Sequence, residues 1–327
     1  MSSGVTSIGG KEVGAIGFGL MGLTLWRAVP YDEAFTAMKA ALEGGATFWN
    51  AGTFYGPPDA NSLQLLKHYF TVYPEDAPKV VLSLKGAYDI GTAQPDCSPE
   101  GIRKSIALAK KELDGKKSID LFECARVDPK VPIETSVAAL AELIKEGEIG
   151  AYGLSEVNAQ TIRRAHAVHP CSAVEVELSM FTRHALGNGG IVDTCRQLGI
   201  PVVGYSPLGR GWLSGELKKH EDLAKDDYRH GFPQFQKEAF EKNVELADYV
   251  AELAKKKGCT SPQIAIAWVK HQGALPIPGA TKAPRVEENC KLVSLDESEL
   301  TALQKKIDGF EVVGHRYPEF FHEHLNL

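Results

Sequence analysis

The sequence predicts a (β/α)8 barrel, the TIM-barrel member of the α/β class. Short apolar runs rich in β-forming residues alternate with longer amphipathic stretches almost from one end of the chain to the other. Eight such strand-then-helix units fit into the 327 residues, and no low-complexity segment or linker divides them. We therefore expect one barrel domain over residues 1–327. A doubly wound open sheet stays as the alternative, because the same alternation occurs there.

The predicted strands and helices follow one another in chain order. Strands are expected at residues 15–19, 48–50, 80–84, 120–123, 150–153, 174–178, 202–205 and 275–277. Helices are expected at residues 32–43, 98–113, 133–145, 159–168, 190–198 and 240–257. Ser98 before Pro99 is typical of a helix start, and Gly199 of a helix end. Residues 208–234 are predicted to form a long irregular loop suited to substrate binding, and residues near 290–327 a C-terminal extension.

The composition excludes several classes of function. The formal net charge of −6 argues against nucleic acid or an anionic membrane as the main partner. The six cysteines are scattered and the ten histidines show no metal-binding spacing, so we expect no metal site and a reducing compartment. Residues 1–10 carry no signal-peptide pattern, and no apolar run approaches the roughly 20 residues of a membrane span. The expected location is the cytoplasm and the expected partner a small molecule, whereas the oligomeric state is not predicted.

Residues 17–22 read G-F-G-L-M-G and match the dinucleotide-binding pattern G-x-G-x-x-G. That pattern requires a helix that begins within the motif and an acidic residue about 20 residues further on. Here a helix is expected only after Pro30, and the next strand ends in Asn50. The preferred interpretation is a glycine-rich first loop that lets a ligand approach the backbone closely, which fits either fold.

Candidate catalytic side chains follow three consecutive predicted strands. Asn50 and Tyr55 follow the second strand, Lys85 closes the third, and Ala125 follows the fourth. In a barrel these positions would be neighbours, because the C-terminal strand ends converge on one face. A neighbouring ammonium lowers the pKa of a tyrosine from about 10, which would suit an enzyme that reduces a carbonyl and protonates the alkoxide. From spacing alone, a packed Tyr55 and a solvated Lys85 are an equally good interpretation.

Residues 50–56, N-A-G-T-F-Y-G, resemble the second-strand motif D-T-A-x-x-Y-G of the aldo-keto reductase family. The resemblance runs from about residue 11 to about residue 289, and it implies that Tyr55 is the proton donor and Lys85 the catalytic lysine. Asn50 replaces the aspartate that pairs with this lysine. The loss of this aspartate would have one of two effects. Lys85 would either be a freer cation that lowers the pKa of Tyr55 further, or it would lose its own proton more easily. Ala125 replaces the usual histidine.

Without that histidine, other side chains must orient the substrate. Glu123 and Arg126 are the candidates, although an ion pair between Arg126 and Asp128 is slightly favoured. Residues 122–128, F-E-C-A-R-V-D, together with residues 153–156, 173–177 and 316–319, resemble the fungal pyridoxal reductase branch of the family. This resemblance implies reduction of an aldehyde, pyridoxal, to pyridoxine. Aromatic walls for its flat ring are expected from Trp26, Trp49, Phe54 and Trp212.

The loops after the seventh and eighth strands are expected to bind the cofactor. Thr281, Lys282 and Arg285 surround the start of a helix, where backbone N–H groups and cations suit the 2′-phosphate of NADP. If the same residues lay elsewhere in the chain, we would interpret them as an ordinary helix start whose lysine and arginine are solvated. The family resemblance implies NADPH/NADP+ as cofactor, with Ser155 and Glu175 beside the nicotinamide. The full expected binding set is Gly19, Leu20, Met21, Ser155, Glu175, Tyr205, Ser206, Leu208, Arg210, Gly279, Thr281, Lys282, Arg285, Glu288 and Asn289.

Two other functions stay open at this point. A broad-specificity aldehyde or ketone reductase would share the barrel and differ in the loop at residues 208–234. An NADPH-binding sensor or regulatory subunit would keep Lys282 and Arg285 without turnover, but the presence of Tyr55 and Lys85 argues against it. A metal-dependent hydrolase is disfavoured, because no metal ligands cluster at the predicted strand ends.

Overall fold

The computed structural model describes residues 6–26, 28–319 and 325. A hairpin of β1 (Thr6–Ile8) and β2 (Lys11–Val13) comes first. The eight parallel strands of the central sheet are β3 (Gly17–Gly19), β4 (Phe48–Gly52), β5 (Val81–Gly86), β8 (Leu121–Cys124), β9 (Ala151–Ser155), β10 (Val174–Glu177), β11 (Val202–Tyr205) and β12 (Ala274–Ile277). They lie in the order β12-β11-β10-β9-β8-β5-β4-β3. A second small hairpin, β6 (Tyr88–Asp89) and β7 (Gln94–Pro95), follows β5.

Helices surround this sheet. They are α1 (Met21–Thr24), α2 (Tyr31–Glu43), α3 (Ser62–Val72), α4 (Pro99–Leu113), α5 (Ile133–Lys145), α6 (Ala159–Val168), α7 (Ile191–Leu198), α8 (Lys237–Lys257), α9 (Ser261–His271), α10 (Ala283–Cys290) and α11 (Glu297–Asp308). None of the helices in the described part of the chain combines the length and apolar character needed to cross a lipid bilayer.

The sheet closes into a barrel where β3 meets β12. The backbone N–H of Gly19 donates to the carbonyl of Pro278 at 3.1 Å. A Cβ atom at Gly17 would lie 2.7 Å from Ile277 Cγ2 and 2.8 Å from the carbonyl oxygen of Phe48, so this approach requires glycine. The predicted (β/α)8 barrel is therefore confirmed, and the doubly wound sheet is excluded.

The same closure explains the glycine motif at residues 17–22. Gly17 and Gly19 belong to the first barrel strand, and a Cβ atom at Gly19 would lie 3.1 Å from the carbonyl oxygen of Ile277. The short helix α1 begins at Met21, inside the motif, so the expectation that no helix begins before Pro30 was wrong. The dinucleotide-binding interpretation nevertheless fails, because the strands follow barrel order.

Most predicted elements are present within a few residues of their expected ends. All eight predicted strands coincide with barrel strands, and the six predicted helices correspond to α2 and α4 to α8. Ser98 Oγ caps α4 by accepting the N–H of Gly101 at 3.0 Å, and Gly199 ends α7 with φ of +70°. The helices α3, α9 and α11 were not predicted.

Two apolar layers hold the barrel. Inside it, Ile8 and Val13 of the β1–β2 hairpin pack with Phe48 and Leu121, which fills the N-terminal end. Outside it, a larger core lies between the strands and the helices. Polar side chains therefore collect at the opposite, C-terminal end of the strands.

The segments that cover the C-terminal end are largely irregular. Within residues 208–234 the chain forms short 3₁₀ turns rather than α-helix or strand, as predicted for a loop. The stretch after α11, residues 310–319, is called the C-terminal segment below. Asn243 of α8 clamps it by exchanging two hydrogen bonds of 2.9 Å with the backbone of Val313. This segment crosses the barrel end and supplies side chains to the site.

We expect a Gly17→Ala substitution to destabilise the protein by about 1–3 kcal/mol, because the added methyl group overfills the contact between β3 and β12. The control is Gly22→Ala, in which the new Cβ meets nothing within 4 Å. Urea unfolding of both variants measures the difference. Equal unfolding midpoints for the two variants would contradict this account of barrel closure.

Candidate active site

The C-terminal strand ends bring a group of polar side chains together inside the barrel. We call this group the lysine cluster. It consists of Asn50 on β4, Ser83 and Lys85 on β5, Glu123 on β8 and Glu175 on β10. All five side chains are buried, and Glu123 and Glu175 have no exposed surface. Such burial requires each charge to have a partner.

Lys85 is held by two partners. Its Nζ donates to Asn50 Oδ1 at 2.9 Å and also forms a very short ion pair with Glu175 Oε1. Asn50 Nδ2 in turn donates to Glu175 Oε2 at 2.7 Å and to Ser83 Oγ at 3.2 Å. The amide oxygen of Asn50 thus still accepts a lysine N–H in place of the missing aspartate. Glu175 contacts the lysine instead of lying free for a nicotinamide carboxamide, so its expected role as a cofactor ligand is not supported.

The charge of Lys85 is therefore compensated. Burial lowers the pKa of its ammonium, but the negative charge of Glu175 and the neighbouring Tyr55 and Glu123 outweigh burial and raise the pKa above its ordinary value. Lys85 stays protonated at neutral pH. Both expectations drawn from the missing aspartate, a freer cation and an easily deprotonated lysine, were wrong.

Tyr55 lies directly after β4, beside Lys85. Its N–H donates to the carbonyl of Gly52 at 3.1 Å, and its ring lies against Gly52, where a Cβ atom would be 3.0 Å away. The side chain is buried, and burial raises the pKa of the phenol more than the charges of Lys85 and Arg126 lower it. Lys85 thus has the predicted effect, but the predicted net lowering was wrong. The phenol keeps its proton through the neutral range.

Glu123 lies on β8 in register with Lys85. Its Oε1 accepts from Ser83 Oγ at 3.1 Å, while its Oε2 is buried without a hydrogen-bond partner among the described residues. Burial and the negative charge of Glu175 raise the pKa of Glu123 well above its usual range, which favours the neutral form of this carboxyl. Since Glu123 has no exposed surface, the expectation that it orients a substrate is not supported.

Arg126 follows Ala125, the position of the missing histidine. Its Nη1 donates to the carbonyl of Ala125 at 2.6 Å. The favoured ion pair with Asp128 is absent, because Asp128 accepts the backbone N–H groups of Cys97 and Lys130 instead. In the described part of the chain Arg126 has no salt bridge with a carboxylate. Most of its guanidinium donors are therefore available to a ligand beside Tyr55.

A second charged network closes the barrel end. Arg316, from the C-terminal segment, donates to Glu156 at 2.5 Å and to Glu177 at 2.9 Å. Arg210 donates to Glu177 at 2.8 Å and to the carbonyl of Arg316 at 2.6 Å. Tyr205 donates to Glu156 at 2.9 Å. Arg210 is engaged with protein groups, so its predicted contact with a cofactor diphosphate requires that these bonds change.

Sequence reasoning missed the roles of Glu156, Glu177 and Arg316. Burial raises the pKa of Glu156, but Arg316 and Arg126 outweigh it and lower the pKa to about 2. Glu156 also has a φ of +55°, a left-handed conformation that is unfavourable for a residue with a Cβ. The sequence contains one weak indication of this network. Two acidic residues lie near predicted strand ends, and the arginines that pair with them lie much further along the chain.

The predicted phosphate site lies at the start of α10. Lys282 pairs with Glu33 at 2.5 Å, and Arg285 pairs with Glu216 at 2.9 Å and with Glu288 at 3.0 Å. Both cations are substantially exposed, at 62% and 48% of the side chain. A phosphate group that binds here would therefore displace carboxylates from ion pairs with Lys282 and Arg285 that are exposed to water and weak.

The other predicted cofactor residues line the same side of the barrel. Gly279 lies against Gly19, where a Cβ atom would be 2.9 Å from the carbonyl oxygen of Gly19. The N–H of Leu20 donates to the carbonyl of Asn50 at 2.9 Å, and Leu20 is fully buried. After β11, Ser206 has a φ of +49°. Ser155 Oγ is buried and lacks a hydrogen-bond partner in the described part of the chain, so it can still form a hydrogen bond with a ligand.

The four predicted aromatic walls divide into two pairs. Trp26 is 51% exposed and stacks on Tyr228 of the long loop at 4.2 Å, and Phe54 contacts Tyr55 edge-on at 5.1 Å. Trp49 and Trp212 lie in the core with about 1% exposure or less. The expectation that these two tryptophans contact a substrate was wrong.

A barrel that places a protonated tyrosine beside a buried lysine at its C-terminal end has the arrangement of an oxidoreductase for carbonyl groups. The Aldo/keto reductase family matches residues 15–308, and the chain belongs to this family. It is 43% identical over 335 residues to “Probable pyridoxal reductase 2” of Schizosaccharomyces pombe, covering 98% of this chain and 99% of that one. It is 38% identical over 333 residues to “Putative pyridoxal reductase” of Saccharomyces cerevisiae, covering 92% and 95%.

Solved structures agree with the fold. A glycerol dehydrogenase from Gluconobacter oxydans superimposes with a TM-score of 0.81 at 25% identity, covering 93% of this chain and 95% of that one. A thermostable aldo-keto reductase in complex with the inhibitor epalrestat superimposes with a TM-score of 0.71 at 21% identity, covering 91% and 98%. The predicted family and its likeness to fungal pyridoxal reductases are thus confirmed.

We expect Arg316→Met to lower stability at pH 7 by up to about 3 kcal/mol, because Glu156 and Glu177 lose a buried cation. The pKa of Glu156 in the folded protein lies below its unfolded value, so the stabilisation is complete above about pH 4.5 and is lost as the pH falls towards 2. The gap in unfolding free energy between wild type and variant should narrow over that interval.

Arg183→Met is the matched control. Arg183 also anchors the end of the chain, by donating to the carbonyls of Ile307 and Phe310, but it touches neither Glu156 nor Glu177. Urea unfolding between pH 7 and pH 3 should show a pH-dependent gap for Arg316→Met and a constant one for Arg183→Met. The same pH dependence in both variants would refute the assignment.

Proposed function

We propose that this chain is an NADPH-dependent aldehyde reductase that converts pyridoxal to pyridoxine. The observation that carries the proposal is Tyr55, a buried phenol that keeps its proton and lies beside the charge-compensated ammonium of Lys85. Membership of the Aldo/keto reductase family supports carbonyl reduction as the reaction. The two fungal relatives named as pyridoxal reductases, at nearly full length, support the choice of aldehyde.

In this mechanism the chain supplies a proton and holds the carbonyl in place. The cofactor, when bound, supplies the hydride that adds to the aldehyde carbon. The C=O double bond becomes a C–O single bond, and the O–H proton of Tyr55 passes to the oxygen. The resulting phenolate is stabilised by the positive charges of Lys85 and Arg126. A proton from water then restores the phenol.

The residues that would hold NADPH lie at the C-terminal ends of β9 and β12. Ser155 Oγ, which has no hydrogen-bond partner in the described part of the structure, suits the nicotinamide carboxamide. Lys282 and Arg285 at the start of α10 suit the 2′-phosphate, once it has displaced Glu33 and Glu216. The orphan hydroxyl and the exposed cations support NADPH as the cofactor.

Arg126 takes the position nearest to the missing histidine and is proposed to orient the substrate. Pyridoxal carries a hydroxyl group beside its aldehyde, and this oxygen ionises readily on a pyridine ring. A guanidinium without a carboxylate partner is suited to bind such an oxygen and align the aldehyde with Tyr55. The exposed face of Trp26 and the ring of Phe54 supply apolar contacts for the flat ring.

The six cysteines are free in the structure, which supports a reducing compartment such as the cytoplasm as the site of action. A broad-specificity reductase would use the same catalytic groups, and a non-catalytic NADPH sensor would need neither the protonated Tyr55 nor its lysine. We therefore propose the enzyme, with a sensor as the outcome if NADPH binds tightly without turnover.

We expect Tyr55→Phe to lower kcat for pyridoxal by at least on the order of 100-fold, because the variant has no proton to give. The loss of NADPH absorbance measures turnover, and fluorescence titration measures NADPH affinity, which should stay the same. Tyr31→Phe, at an exposed tyrosine on α2, is the control and should retain full activity. Undiminished turnover by Tyr55→Phe would remove Tyr55 as the proton donor.

We expect Arg126→Met to lower kcat/KM for pyridoxal about 10- to 100-fold, the range for loss of one charge-assisted hydrogen bond. Pyridine-4-carboxaldehyde, which lacks the neighbouring hydroxyl, should lose much less. Lys130→Met, at an exposed position on the same loop, serves as the control. Equal losses on both aldehydes would assign Arg126 to the carbonyl oxygen and contradict its role in selecting the hydroxyl.

A further inference from the structure

We infer that Glu175 is the positioning residue for the catalytic lysine, and that the carboxylate which compensates Lys85 has moved from β4 to β10. This inference rests on the proposed function, since it concerns the lysine that tunes Tyr55. It also explains why the chain can carry an asparagine at position 50. Nothing in the sequence of β4 alone indicates where the replacement charge lies.

The geometry of the three side chains is reciprocal. Lys85 donates to both Glu175 and Asn50, while Asn50 donates its amide N–H to the second oxygen of Glu175 at 2.7 Å. The amide of Asn50 thus uses its oxygen towards the cation and its nitrogen towards the anion. This orientation is the only one that satisfies both neighbours, because an amide has one accepting and one donating side.

The residue types at positions 50 and 175 depend on each other. If residue 50 were an aspartate while Glu175 remained, two carboxylates would meet at the position of a 2.7 Å hydrogen bond, which is strongly repulsive unless one takes a proton. If Glu175 were a glutamine while Asn50 remained, the buried ammonium would lose the carboxylate with which it forms an ion pair in the described structure. One carboxylate, on either strand, is required; two or none are unfavourable.

Other groups around the ammonium do not supply this charge. From β8, Glu123 accepts from Ser83 and forms no ion pair with Lys85 in the described structure, and its burial together with Glu175 raises its pKa. From the loop after β4, Tyr55 keeps its proton, and from β11 the ring of Tyr205 lies with its centroid 5.9 Å from Lys85 Nζ. Glu175 is therefore the one carboxylate in the described structure that forms an ion pair with Lys85.

The test is a charge swap in the full-length protein. The variants are Glu175→Gln, Asn50→Asp, and the double variant Asn50→Asp/Glu175→Gln. Two readouts are taken: the pH profile of kcat with NADPH and pyridoxal, and the urea unfolding midpoint without cofactor or substrate. The control is Glu123→Gln, the same chemical change at a carboxyl of the lysine cluster that forms no ion pair with Lys85 in the described structure, and its unfolding midpoint should stay close to that of wild type.

We expect Glu175→Gln to move the alkaline limb of the kcat profile down by about 2 pH units or more, because an unpaired buried lysine loses its proton more easily. Its unfolding midpoint should also fall clearly below that of Glu123→Gln. Asn50→Asp alone should be destabilised at pH 7 and recover on acidification. The double variant should regain most of the wild-type midpoint and return the alkaline limb to within about 1 pH unit.

The inference is overturned if Glu175→Gln matches wild type in both readouts, or if the double variant is no better than Glu175→Gln. If Glu175→Gln does not fold, a folded double variant supports the swap and an unfolded one refutes it. The two readouts separate the inference from the proposed function. If the double variant regains the wild-type unfolding midpoint but neither wild type nor any variant reduces pyridoxal, the inferred ion pair is retained and the proposed reduction of pyridoxal is rejected.

Discussion

The structure is organised around one buried positive charge, the ammonium of Lys85. A barrel interior is an unfavourable place for an ion, so the strands on both sides must provide compensating groups. Asn50 from β4 and Glu175 from β10 do so across the barrel, which ties strands far apart in sequence to one another. The raised pKa of Glu123 follows from the same charge balance, because burial and the nearby Glu175 both oppose a second negative charge. The ionisation of Tyr55 depends on this arrangement, since the positive charges of Lys85 and Arg126 lower the pKa that burial raises.

Buried charges at the C-terminal end of the barrel are also balanced by opposite charges, and the C-terminal segment supplies part of them. Glu156 and Glu177 stand at the ends of β9 and β10, and their charges are balanced by Arg316 and Arg210, which come from outside the barrel strands. A segment that would otherwise be an extension is thereby fixed across the site by ion pairs. The hydroxyl of Tyr317 in this segment also lies 3.0 Å from the hydroxyl of Tyr205 at the end of β11, which adds a polar contact between the segment and the barrel.

The sequence predicted the barrel and the proximity of Tyr55 to Lys85, because strand ends converge and motifs are local. It failed where a side chain's role depends on strands distant in sequence. Glu175 is assigned to the cofactor by motif alone, yet the closed barrel places it against Lys85. Trp212 and Trp26 are both aromatic residues of loops, and only packing shows that Trp212 is core. The helix α9 was missed because its residues are buried nearly all round and lack an amphipathic period. Both α9 and α11 nevertheless begin with capping-box residues, Thr260 with Gln263 and Asp296 with Glu299, so a sequence signal for their starts was present.

Burial keeps Tyr55 in the protonated state that the proposed reduction requires. A buried phenol with a raised pKa holds a proton at neutral pH and can release it to an alkoxide, which is a far stronger base. The reverse reaction requires a phenolate to form first, inside a site where burial opposes that charge. Lys85 and Arg126 reduce this opposition without removing it. The electrostatics around Tyr55 thus keep on the phenol the proton that the proposed reduction of a carbonyl would consume.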